Sequence, residues 1–171
     1  MSRYADPGAL QWVESGGGPL IAVPETVLPF WAGADSEEFA TDYDRACEVD
    51  GYAGLLPVGD SAALVLGDEP AATAYLPDEG VFVRWSAAHS ERELLAHVPA
   101  ALGTAAWGPE VRWQVPGPVV LFDAARPGGT ADRAGHLRVP LAPGPYAVAA
   151  AYAQPGPETW LGLVRVRRLA R

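Results

Sequence analysis

Apolar residues in this chain come in short bursts separated by glycine and proline. Eleven such segments are rich in Val, Leu and aromatics: Leu10–Glu14, Leu20–Val23, Ala53–Val58, Ala62–Leu66, Ala72–Leu76, Val81–Trp85, Val111–Val115, Val119–Phe122, Leu137–Leu141, Tyr146–Tyr152 and Trp160–Val166. Turn-forming residues stand between them at Gly59–Asp60, Gly67–Pro70, Pro77–Gly80 and Pro143–Gly144. This pattern predicts antiparallel β-strands. Apolar and polar residues alternate most cleanly in Val111–Val115 and Leu163–Arg167, as expected of strands with one face buried.

One helix is well marked. Ser90 and Glu93 have the spacing of a capping box, and Leu94, Leu95, Val98 and Leu102 then share a face. Pro99 should end or kink it. A second, short helix is expected near Glu37–Ala46, where Phe39, Tyr43 and Ala46 are spaced by four and three. Without an internal repeat or a long linker, residues 1–171 read as one domain. Its class is α+β, mostly antiparallel sheet, sandwich-like or strongly curved, with the main helix near residues 90–102 packed on one face.

Composition adds limits. The 171 residues include 19 Gly and 17 Pro, a share that favours turns without reaching the level of a disordered chain. Cys47 stands alone, so no disulfide forms within the chain; no apolar run is long enough to span a membrane. The first residues lack the plan of a signal peptide, and the expected location is cytoplasmic. Lys and Asn are absent, Ile21 is the single Ile, and Ala occurs 31 times. That bias follows GC-rich coding, so the use of Arg alone is no sign of phosphate recognition.

Charge is concentrated. Of the net −9, residues 1–34 carry −2, residues 35–79 carry −11 and residues 80–171 carry +4. An acidic molecule is repelled by nucleic acid and anionic lipid and attracted to basic partners. The acidic segment reads as a solvated face or as a docking surface for something cationic.

Chemical motifs are scarce. The acids of Asp42–Asp50 do not match a calcium loop, because Ala46 holds a ligand position and Gly51 comes too late. The run Ser15–Gly18 lacks both the glycine of a nucleophile elbow and the Gly-Lys of a phosphate loop. Cys47 is expected to be a small buried side chain, and His89, His97 and His136 to be surface or helix-end residues. No metal or cofactor is implied. Among the six Trp, Trp113 reads as core, while Trp12, Trp31 and Trp85 are candidates for a binding rim.

Four runs are more informative in order than singly: Trp12–Ile21 (WVESGGGPLI), Asp42–Val49 (DYDRACEV), Leu64–Pro70 (LVLGDEP) and Val83–Trp85 (VRW). With Leu121–Asp123 and Leu137–Tyr146 they resemble the immunity protein 21 family of bacterial polymorphic toxin systems. The positions carrying the likeness are Trp12, Glu14, Ser15, Gly16, Gly17, Pro19, Cys47, Gly67, Pro70, Arg84 and Trp85. Gly18 departs from it as a third glycine, and Pro140–Pro157 diverges. The resemblance implies a non-enzymatic inhibitor that binds a cognate toxin domain, such as a nuclease with a basic cleft. It points to no direct contact with nucleic acid or membrane. Asp42, Tyr43, Asp44, Arg45, Glu48, Asp50, Asp68 and Glu69 are then the expected toxin-binding residues, with Glu14 and Ser15 beside them. Two other readings stay open: a ligand- or carbohydrate-binding module stacking on Trp12, Trp31 or Trp85, and a hydrolase using Asp42, Asp44, Glu48 and Asp68.

Overall fold

The computed structural model describes residues 10–35, 37, 39–67, 69–129 and 135–170. The chain runs β1 (Leu20–Pro24), a 3-10 helix (Glu25–Phe30), α1 (Asp42–Cys47), β2 (Gly54–Val58), β3 (Ser61–Leu66), β4 (Ala72–Leu76), β5 (Val81–Ala87), α2 (Glu91–Thr104), β6 (Val111–Val115), β7 (Val119–Asp123), β8 (Leu137–Val139), β9 (Gly144–Gly156) and β10 (Thr159–Arg168). Two five-stranded sheets result, ordered β2-β3-β1-β7-β8 and β4-β5-β10-β9-β6. Every pairing is antiparallel. The α+β class holds, and so does each predicted strand but the first. Leu10–Glu14 contributes a single bridge, Val13 to Thr73.

The sheets stack through a shared core. Leu20, Leu64 and Leu121 of the first meet Phe82, Trp113 and Val164 of the second. Both outer faces are covered as well. Ile21, Val23, Val65 and Phe122 lie beneath Leu28, Trp31 and Ala46, and Val83, Leu161 and Leu163 beneath Leu94, Val98 and Ala101 of α2. A strand buried on both faces has no place for a polar residue, which is why β1 reads LIAVP without alternation. Edge strand β6 does alternate from Arg112 onward. In Leu163–Arg167 the expectation holds only from Val164 on, because Leu163 and Val164 are both buried, one under α2 and one between the sheets.

The helices depart from expectation in detail. Ser90 caps α2 by accepting the Glu93 amide at 3.1 Å, but the Glu93 carboxylate accepts from the Thr159 hydroxyl at 3.3 Å. Pro99 sits inside α2 on its exposed side, and the helix continues to Thr104. The buried stripe is Leu94, Val98 and Ala101, with Leu95 and Leu102 half-buried at its flanks. α1 begins only at Asp42, and Phe39 lies outside it, fully exposed. His136 is buried rather than superficial; its ring stacks on Phe122 at 4.7 Å.

Phe82 lies in the shared core and Phe39 in solvent, so their truncations should differ sharply. Phe82→Ala is expected to lower unfolding free energy by ~3–5 kcal/mol, and Phe39→Ala to change it by less than about 0.5 kcal/mol, as read from urea midpoints.

Candidate functional site

Three separate stretches of sequence form the walls of one cleft. The first is the turn leading into β1. The Ser15 hydroxyl donates to the Gly18 carbonyl at 2.6 Å and accepts the Gly17 amide at 3.1 Å. Asp123, at the end of β7, accepts the Gly16 amide at 2.8 Å and the Ala125 amide at 2.9 Å. Gly17 has φ +131°, which a side chain would disfavour. Gly18 is needed for another reason: a Cβ there would collide with the Tyr43 hydroxyl.

The second wall is α1. Its N-terminus is closed by a full capping box, in which Thr41 Oγ1 accepts the Asp44 amide at 3.1 Å and Asp44 accepts the Thr41 amide at 2.9 Å. The Thr41 amide and, at 2.9 Å, the Thr41 hydroxyl both donate to the Asp44 carboxylate and hold it below its ordinary range. Asp42 accepts the Ala32 amide at 2.9 Å and pairs with Arg45 at 2.9 Å, and Arg45 reaches the Pro57 carbonyl at 3.0 Å. Asp42 and Arg45 therefore fasten α1 to its surroundings, and Asp44 closes its first turn. Glu48 and Asp50 are exposed, and neither carboxylate has a hydrogen bond or ion pair among the described residues.

The third wall is the turn from Gly67 to Pro70, held from below by Arg84 of β5. Arg84 is 3% exposed. Its guanidinium donates to the Gly67 carbonyl at 2.7 Å, to the Glu69 carbonyl at 2.8 Å and to the Thr73 hydroxyl at 3.4 Å. Asp68 lies outside the described residues.

The cleft, open to solvent, measures about 320 Å³ and is lined in part by Gly18, Tyr43, Cys47, Asp50, Glu69 and Pro70. Its described lining carries two carboxylates and no cation. The Tyr43 phenol is raised above its ordinary value, first by hydrogen bonding with Cys47 and then by burial, with Asp123 and Asp44 adding negative field. Cys47 is exposed, contrary to expectation, because Ala46 takes the core-facing place on α1 and turns its neighbour outward.

A family model described as immunity protein 21 matches residues 11–159. The chain belongs to the immunity protein 21 family. No curated protein and no solved structure matches the chain. The immunity protein 21 match spans all three walls of the cleft and the arginine beneath the third.

Other family-like positions support the frame. Pro19 is buried, and its carbonyl accepts the Ala124 amide at 3.1 Å; Glu14 is exposed before the turn. Trp12 and Trp85 meet edge to face at 5.4 Å, half-buried beside the α2 layer. Trp31 is fully buried and donates its indole N–H to the Ala124 carbonyl at 3.0 Å. These three indoles therefore form no common exposed platform. Tyr52 and Trp160 are exposed on either side of half-buried Tyr152, an aromatic row that sequence reasoning missed. Its available signal was weak, since residue 52 precedes a strand of the first sheet and residues 152 and 160 lie in the second, so that only the packing of one sheet on the other brings their rings together. Among the described residues, no three His, Cys, Asp or Glu side chains are placed to hold a metal ion. No helix among them is long and apolar enough to cross a membrane.

Two outcomes follow for the walls. Arg84→Met leaves the Gly67 and Glu69 carbonyls without their buried donor; it is expected to cost about 2–4 kcal/mol and to accelerate hydrogen exchange at the Glu69 amide. For Asp44, a folded-state pKa below the ordinary value means that its contribution to stability is present above that ordinary value and is lost as pH falls through the folded one. Carboxyl NMR titration should place Asp44 below an ordinary Asp, and Thr41→Val, which removes the hydroxyl donor but keeps the amide, should move it part of the way back upward. An Asp44 titration unchanged by Thr41→Val would contradict the part given to the hydroxyl, and one at the ordinary Asp value would contradict the capping account.

Proposed function

We propose that this protein binds and neutralises a cognate toxin domain, presenting the acidic side of the cleft to a basic active site. Family membership supports the toxin-directed role. The observation that carries the choice of surface is the convergence of the glycine turn, α1 and the Gly67–Pro70 turn on one cleft whose charged groups, among the described residues, are all acids. Carboxylates held there would occupy the places of substrate phosphates in a nuclease, and their field would speed encounter with a basic partner. Within the segment expected to bind, the structure separates two kinds of acid. Asp42 and Asp44 are engaged within the fold, whereas Glu48, Asp50 and Glu69 are exposed and form the binding charge, with Asp68 beside them in sequence. The inhibitor acts by occlusion, without catalysis or a cofactor, in the cytoplasm.

The test uses the purified toxin domain and the full chain. Affinity should fall as salt rises. The combined change Glu48→Gln, Asp50→Asn and Glu69→Gln should slow association at low salt by about tenfold or more while leaving the unfolding midpoint in place. Unchanged binding by the triple variant would exclude this surface.

A further inference from the structure

A shallow groove adjoins the cleft, framed by Tyr52, Glu69, Arg84, Ser86, Tyr152 and Gly162. Glu69 borders both concavities, and Tyr52 follows Asp50 by two residues, so the surfaces are continuous. The Tyr52 and Tyr152 rings stack at 5.8 Å with 14° between their planes, and Trp160 leans on Tyr152 at 5.9 Å. Tyr52 and Trp160 remain 38% and 39% exposed. Strand register makes the floor of this surface. Gly162 of β10 pairs with both Arg84 of β5 and Tyr152 of β9, and its missing side chain leaves the floor bare. A Cβ at Gly162 would lie 3.3 Å from that of Arg84. The aliphatic stem of Arg84 therefore forms the floor, while its guanidinium is directed to the carbonyls of the Gly67–Pro70 turn.

Among the described residues the Glu69 carboxylate accepts only a long bond, 3.5 Å, from the Ser86 hydroxyl. Exposed aromatic rings beside such a carboxylate suit a planar cation. A guanidinium is more weakly hydrated than an ammonium, stacks on ring faces and offers paired donors to a carboxylate. The protein uses the same combination internally: the Arg165 guanidinium lies 4.3 Å from the Trp107 ring centroid, with Glu110 3.7 Å away. We infer that Tyr52, Tyr152, Trp160 and Glu69 receive an arginine side chain of the toxin partner, lying across the rings with its N–H groups on Glu69. The source of that arginine rests on the toxin-binding reading; the chemistry of the groove does not.

Hexa-arginine and hexa-lysine peptides, equal in side-chain charge, separate ring stacking from net attraction. The arginine peptide is expected to bind the full chain about fivefold more tightly and to shift the Trp160 indole N–H resonance while leaving that of Trp113 unmoved. Tyr152→Leu and Trp160→Leu should each reduce this preference, and Glu69→Gln should weaken both peptides. Equal affinity for the two peptides, or a preference that survives Trp160→Leu, overturns the inference. Trp160 is the more exposed residue, so its variant decides the matter if Tyr152→Leu unfolds. A toxin domain bound by Trp160→Leu and Glu69→Gln with wild-type affinity would also overturn it and leave the toxin-binding reading standing. A retained arginine preference with no toxin bound would do the reverse.

Discussion

Ile21, Val23, Val65 and Phe122 stand in rows on the outer face of the first sheet, and an apolar surface of that kind is unfavourable in water. The 3-10 helix, Trp31 and α1 cover it. Covering this face is what brings α1 beside the glycine turn and so creates one side of the cleft. Packing thus comes before the site: Ala46 points down into the core, and the same helix turns Cys47, Glu48 and the following Asp50 outward.

The opposite wall depends on a buried cation. Burying a guanidinium is costly unless its donors are satisfied, and Arg84 meets that requirement with two backbone carbonyls of the Gly67–Pro70 turn and the Thr73 hydroxyl. A surface turn is thereby tied to the second sheet. Because Arg84 belongs to β5 and α1 packs on the first sheet, the two walls are carried by different sheets whose relation is set by the shared core. The cleft is as well defined as that core.

Its acids fall into two groups by geometry. Thr41, Ala32 and Arg45 take up the carboxylates of Asp44 and Asp42, which serve as fastenings. Asp50 and Glu69 remain at the rim, and the aromatic row begins at Tyr52. A charged rim beside exposed rings offers both long-range attraction and short-range desolvated contact, a division of labour common at protein interfaces.

Much of the fold was legible in the order of residues. Strands were marked by bursts of Val and Leu between turns, and α2 by Ser90 and its apolar stripe, because local backbone preference and burial agree there. That β1 is covered on both sides emerged only from its packing, with Leu20 and Ala22 on one face and Ile21 and Val23 on the other. What the order of residues could not decide was partnership across distance. Pro99 was tolerated because α2 places it toward solvent, and Phe39 fell outside α1 because the Thr41–Asp44 capping box sets the helix start. Trp31 reads like a rim residue beside its turn, yet the covering layer buries it. Asp42 and Asp50 look alike in a string of acids; only the fold gives one of them an amide and a guanidinium and gives the other no partner among the described residues. The sequence alone thus determined the element types, the acidic stretch and the family likeness, which are written in adjacent residues. Tertiary structure decided which of those acids and rings face a common cleft, since that depends on register and layer packing between residues far apart in the chain.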